Sequence, residues 1–103
     1  MPRTLSVARV RVPAEHEPEW RSVVAQLAAG LAARGQHLWV FRSEDDPEQW
    51  LEFSESGDRA SHRAVAADRT VGELALEARL RALATYDAGA AALWTEVPSP
   101  KES

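Results

Sequence analysis

The segment His37-Leu-Trp-Val-Phe-Arg-Ser-Glu-Asp-Asp-Pro-Glu-Gln-Trp-Leu-Glu-Phe-Ser-Glu55 decides the fold. It alternates with the period of two that sends successive side chains to opposite faces of a strand. Leu38, Val40 and Arg42 fall on one face of a first strand, and His37, Trp39, Phe41 and Ser43 on the other. Glu44-Asp-Asp-Pro47 is turn chemistry: short acidic side chains accept from backbone N–H groups, and Pro47 fixes φ and lacks a ladder donor. The chain then alternates again, Leu51 and Phe53 against Trp50, Glu52 and Ser54. Setting Ser43 opposite Glu48 puts Phe41 opposite Trp50 and Trp39 opposite Glu52. An aromatic cross-strand pair of that kind contributes roughly 0.2–1 kcal/mol. Both faces carry large apolar groups, so such a sheet needs a cover on each side.

Upstream, Leu5 to Val12 reads as a strand with Ser6, Ala8, Val10 and Val12 on one face and Leu5, Val7, Arg9 and Arg11 on the other. Arg9 is either part of a solvated face or a guanidinium turned into a pocket to hold an anionic or carbonyl group. A helix follows from about Pro18 to Arg34. Pro18 suits its first position, Glu15, Glu17 and Glu19 suit its positive end, and Gly35 stops it. Trp20, Val23, Val24, Leu27 and Leu31 recur at helical spacing as its apolar stripe.

Downstream, Arg59 to Asp68 is a short alanine-containing helix. Thr70 and Glu73 form a capping box opening a helix to about Asp87, with Leu76, Leu80, Leu83 and Ala84 facing inward and Gly89 as its stop. Ala92 to Val97 is the last strand, and residues 99–103 form a polar tail.

The order is β-α-β-β-α-β, an α+β ferredoxin-like arrangement within one domain spanning 1–103, its ordered core about 4–98. It predicts a four-stranded antiparallel sheet whose helices cover Ala8, Val10, Val12, Leu38, Val40, Leu51 and Phe53. Val7, Trp39, Phe41 and Trp50 are left on the open face. That much exposed apolar surface calls for a second copy, packed sheet to sheet.

The totals exclude several classes of function. With 45% hydrophobic and 27% charged residues in 103, the chain can bury a modest core and is no disordered segment. Zero cysteines rule out disulfides, a thiolate nucleophile and zinc ribbons, and fit a cytoplasmic protein. The net charge of −4, with basic residues scattered, argues against nucleic acid. No stretch approaches the roughly 18–20 apolar residues of a membrane span, and the N-terminus lacks the apolar run of a signal peptide.

From Leu5 to Val97 the chain resembles the dimeric α/β barrel superfamily, and within it the antibiotic biosynthesis monooxygenase-like group. The likeness is carried by element order, by Trp39-Val-Phe-Arg-Ser43, by Trp50-Leu-Glu-Phe53 and by Ala60-Ser-His62-Arg63. It implies a homodimer whose two sheets close a barrel, with a cavity between sheet and helices in each subunit. Members of that superfamily include cofactor-independent oxygenases of polycyclic phenols and haem-degrading monooxygenases. The haem-degrading set is an asparagine, a tryptophan and a histidine. Trp50 and His62 stand in roughly corresponding places, but the chain contains no asparagine, so that set is incomplete. No cofactor is called for.

His62 is the candidate catalytic residue, since an imidazole titrates near neutrality and can act as a general base. Its plain alternative is a surface histidine between Ser61 and Arg63. Trp39, Phe41 and Trp50, with Arg9, are the candidate ligand-binding set: flat walls for a planar apolar molecule, or equally the core of a dimer interface. Glu52 and Glu96 are strand carboxylates that would need an arginine, Arg9 or Arg11 being nearest, if they entered the sheet–sheet contact. Tyr86 falls late in the second long helix with no evident partner. Histidines at 16, 37 and 62 give no metal-ligand spacing, and neither a phosphate-cradling loop nor a nucleophile elbow is present.

Two readings follow. One is a cofactor-independent monooxygenase-like enzyme whose planar substrate lies against the aromatics while His62 or Arg9 stabilises its deprotonated form. The other is a non-catalytic ligand-binding or interaction dimer whose barrel is filled by its own side chains. An open cavity favours the first and a filled one the second.

Overall fold

A computed structural model describes residues 2–87 and 92–97. The expected stop at Gly89 and the tail at 99–103 lie outside them. The elements are β1 (Thr4–Arg11), α1 (Glu17–Ala32), β2 (Gln36–Arg42), β3 (Gln49–Ser56), α2 (Arg59–Ala67), α3 (Val71–Leu83), β4 (Thr85–Tyr86) and β5 (Leu93–Thr95). The sheet is antiparallel, in the order β2-β3-β1-β4, with β5 also paired to β1. The ferredoxin-like order holds, but the described residues form a sheet of five strands rather than four. The place of the expected last strand is divided: β4 pairs with Val10 and Arg11, and β5 with Thr4 to Ser6.

Helix boundaries follow local chemistry. Pro18 sits in the first turn of α1, and Gly35 takes φ 81° just beyond its end, where a side chain would strain the backbone. Both halves of the capping box are made: Thr70 Oγ1 accepts from Glu73 N–H at 3.0 Å, and Glu73 Oε1 accepts from Thr70 N–H at 2.9 Å. Helix α3 stops at Leu83 instead of reaching Asp87, because Thr85 and Tyr86 pair with β1. The predicted stripe Trp20, Val23, Val24, Leu27 and Leu31 is buried in full, against Val10, Val12, Leu80 and Leu83. Full burial of one such aliphatic side chain stabilises by about 1.5–3 kcal/mol.

The hairpin departs from expectation by one residue. Ser43 N–H donates to the carbonyl of Gln49, and Phe41 stands opposite Leu51, not Trp50. The turn absorbs the extra residue: Ser43 Oγ accepts from the N–H groups of Asp45 and Asp46, and Asp46 Oδ1 accepts from that of Glu48. A one-residue shift sends every side chain of a strand to the other face. Leu51 and Phe53 therefore lie outside, where Phe53 meets Phe41 edge-on at 5.3 Å. Trp50, Glu52, Ser54 and Ser56 lie inside, beneath the helices. Trp50, expected on the open face, is 5% exposed and packs on Trp20 with ring centroids 5.0 Å apart.

Candidate active site between the sheet and the helices

The inward register of β3 builds the site. Between the sheet and helices α1 and α3 lies a cavity of about 360 Å³. Leu27, Leu31, Leu38 and Leu80 form its apolar walls, and Ser6, Glu52, Arg69 and Tyr86 its main polar ones. A second space of about 550 Å³ adjoins it beneath α2, bordered by Gln36, His62, Arg59 and Arg63. The two share Ser6, Ser54, Ala66 and Arg69. The space between sheet and helices is open.

His62 is not a surface histidine. It is 5% exposed, turned inward from α2 onto the sheet. Asp58 starts that helix by accepting from Ser61 N–H at 2.7 Å, which fixes where His62 falls in its first turn. Nδ1 lies 2.8 Å from Ser56 Oγ and 3.4 Å from Gln36 Nε2, and Nε2 lies 3.2 Å from Ser6 Oγ. An amide nitrogen only donates, so Gln36 favours the tautomer in which Nδ1 accepts and Nε2–H donates to Ser6. Ser6 then has its own hydroxyl proton to offer to the cavity it lines. Burial, and secondarily the charge of Arg69, lowers the His62 pKa from its ordinary 6.5.

That shift has a sign for stability. With the folded pKa below 6.5, the unfolded chain binds more protons through the interval between the two values. The contribution of the neutral, bonded imidazole is complete above pH 6.5 and is lost as pH falls towards the folded value. A His62→Ala variant should lose about 1–3 kcal/mol at neutral pH, having left Ser6 and Gln36 short of a partner. In urea titrations from pH 8 to 5, the gap between wild type and variant should be flat above pH 6.5 and narrow below it. An unchanged gap throughout would mean that His62 stays bonded when protonated.

A second chain of bonds runs through Glu52. Trp20 Nε1–H donates to Tyr86 Oη at 3.1 Å, and Tyr86 Oη–H donates to Glu52 Oε2 at 2.8 Å. Burial raises the Glu52 pKa above its ordinary 4.5, against the opposing hydrogen bond from Tyr86. Burial and the Glu52 charge push the Tyr86 phenol upward too, so it remains a donor at neutral pH. Arg69 forms an ion pair with Glu77, Nε to Oε1 at 2.7 Å, while its buried Nη1 has no partner among the described residues. Among those residues no three histidine, aspartate or glutamate side chains converge to hold a metal ion.

The candidate residues read from the sequence divide between two places. His62 borders the inner space, whereas Arg9, Phe41 and Trp50 meet at a separate groove with Arg42 and Gln49. Trp39 borders neither; it is 43% exposed on the outer face and stacks on His37 at 5.9 Å. Trp50 is a core residue under the Arg42 guanidinium, 5.6 Å from its centroid, and is no wall of the inner cavity. Neither glutamate pairs with Arg9 or Arg11: Glu52 binds Tyr86, Glu96 binds Arg3 at 2.9 Å, and Arg11 binds Asp46 at 2.8 Å. Ser6, Arg69 and Tyr86 line the cavity without being candidate site residues by sequence, and Glu52 enters the sequence reading only as a strand carboxylate in need of a partner. For Glu52 the signal is which way β3 faces, which depends on the length of the turn, whereas Tyr86 falls in a helical pattern that gives way to pairing with β1.

No protein-family model matches the chain, and no curated protein matches it significantly. Solved structures do. SnoaB, a cofactor-independent oxygenase from Streptomyces nogalater, is 24% identical over 97% of this chain and 98% of its own, with a TM-score of 0.77. A mutant of the same protein gives 25% identity over 95% of this chain and 96% of its own, again with a TM-score of 0.77. An antibiotic biosynthesis monooxygenase is 15% identical over 97% and 100%, with a TM-score of 0.67. The likenesses at 24% and 15% identity are of fold alone.

Proposed function

We propose that this chain, which carries the fold of the antibiotic biosynthesis monooxygenase-like group of dimeric α/β barrels, is a small oxygenase-like enzyme acting on a planar apolar substrate. The observation that carries the reading is the open inner cavity, whose leucine walls surround a few converging polar groups. That combination is the usual make-up of a small-molecule site. The ring system lies against Leu27, Leu31, Leu38 and Leu80. Ser6, backed by His62, donates to a substrate oxygen, and Arg69 places positive charge where the deprotonated form gathers negative charge.

Such a substrate supplies the reducing power itself. When a ring CH2 reacts with dioxygen, one oxygen atom stays as a carbonyl and the other leaves as water with the two hydrogens. The electrons balance without an external reductant, and the protein's part is to ionise, orient and keep water out.

The working unit in this proposal is a cytoplasmic homodimer joined through the outer sheet face. Trp39, Phe41 and Trp94 are 43%, 59% and 60% exposed there, and a second copy would cover them. Arg9 and Phe41 then belong to the rim of the protomer contact and not to the ligand.

Anthrone, a planar CH2 carbon acid, provides the test. Wild-type protein should consume dioxygen in its presence and yield the quinone. A Leu38→Trp variant, filling the cavity, should fold and form the same assembly yet lose at least tenfold in rate. Failure of anthrone and polycyclic phenols to bind, with Leu38→Trp behaving as wild type, would overturn the assignment.

A further inference from the structure

We infer that the Glu52 carboxylate is the general base of this cavity, taking a proton from a weakly acidic C–H or O–H of the bound molecule. The inference rests on the cavity being the ligand site, as proposed above, and goes further in naming the group that ionises the ligand.

The geometry picks out Glu52 from the other acids. It stands on the inner face of β3, mid-sheet, opposite Val40 on one side and Ala8 on the other. It lines the apolar part of the cavity together with Leu27, Leu38 and Leu80. Arginine binds most of the protein's other placed carboxylates: Glu73 is bound by Arg34, Glu77 by Arg69, and Glu96 by Arg3. Glu52 instead takes one neutral hydrogen bond from a phenol. A base matched to strong cations is a poor base, whereas a desolvated carboxylate with a single neutral donor keeps its basicity. Its raised pKa is the consequence of that setting.

In the step, a substrate C–H or O–H bond breaks, its proton goes to Glu52, and its electron pair stays on the substrate as an enolate or phenolate. Total charge within the cavity is unchanged: the negative charge moves from the carboxylate to the ring, towards Arg69 and Ser6. Tyr86 is a positioning residue. It fixes one carboxylate oxygen through its 2.8 Å bond and is itself held by Trp20. The charged groups that face Glu52 are Arg69 from the α2–α3 loop and Glu77 and Arg81 from α3, with Tyr86 from β4. Arg69 and Arg81 favour the ionised carboxylate and Glu77 opposes it.

The experiment needs neither dioxygen nor turnover. The 103-residue chain is incubated anaerobically with 2-tetralone deuterated at its α carbons, and loss of deuterium to water is followed by mass spectrometry. Wild type should accelerate the exchange, with a rate that rises with pH as Glu52 ionises, later than an ordinary carboxylate would. Glu52→Gln keeps an acceptor for Tyr86 and the side-chain volume, and should slow exchange by about 10²–10⁴-fold while binding the ketone as before. Tyr86→Phe should move the rise to higher pH, because its hydrogen bond lowers the Glu52 pKa. If Glu52→Gln binds and exchanges the ketone like wild type, Glu52 is not the base. If wild type binds it without accelerating exchange, the cavity stands and the base is refuted. If wild type does not bind it at all, the ligand-site reading fails and this inference falls with it.

Discussion

Trp20→Ala should cost about 3–5 kcal/mol of folding stability, the range for deleting a buried indole or phenyl from a close-packed core. Trp20 has no exposed surface; it packs on Trp50 at 5.0 Å and lies among Val10, Val12 and the α1 and α3 leucines. Truncation would leave a void beside Trp50, whose own indole nitrogen has no partner among the described residues. Chemical denaturation gives the loss directly. Trp20→Phe separates packing from polarity: it keeps a ring but removes the donor to Tyr86, and should cost closer to 1 kcal/mol. If Trp20→Ala loses less than 1 kcal/mol, the aromatic pair is not the keystone of the core.

Trp39→Arg should separate the proposed dimer. A guanidinium buried without a partner costs about 3–5 kcal/mol, which is about two to four powers of ten in the dissociation constant. The two-fold contact would repeat the insult in both copies. The change lies on the outer face, away from the cavity, so the monomer should remain folded, with its far-ultraviolet dichroism intact. Sedimentation at micromolar concentration reads the outcome. A variant that still sediments as wild type would place the protomer contact elsewhere. Glu44→Ala, in the turn, serves as a surface control.

Much of the fold could be read in advance because its signals are local. Trp20, Val23, Val24, Leu27 and Leu31 repeat at helical spacing, and Thr70 and Glu73 satisfy each other's amides; neither depends on distant contacts. The direction of β3 does depend on them. Its alternation is equally clear in either register, since Leu51 and Phe53 are as apolar as Trp50. What selects the register is a run of hydrogen bonds inside the turn from Ser43 to Gln49, together with a Trp20 ring waiting to receive Trp50. The site inherited that ambiguity. His62 could be singled out by residue type, but Glu52 and Tyr86 acquire meaning only once they face each other. Tyr86 also falls in a helical sequence pattern that gives way to pairing with β1.

The inner face of β3 changes character along its length, from Trp50 through Glu52 and Ser54 to Ser56. From Trp50 to Ser56, six steps at about 3.3 Å per residue, that face spans roughly 20 Å. At one end, Trp50 and Trp20 act as a stopper, and no molecule passes without dismantling the core. Under the proposed function a guest would therefore enter and leave by the opposite end, where Arg59, Arg63 and α2 border the adjoining space. In that reading, residence time and selectivity would be set at that doorway, and reactivity further in at Glu52. Changes in α2 can thus retune which molecules arrive without disturbing the chemistry that meets them.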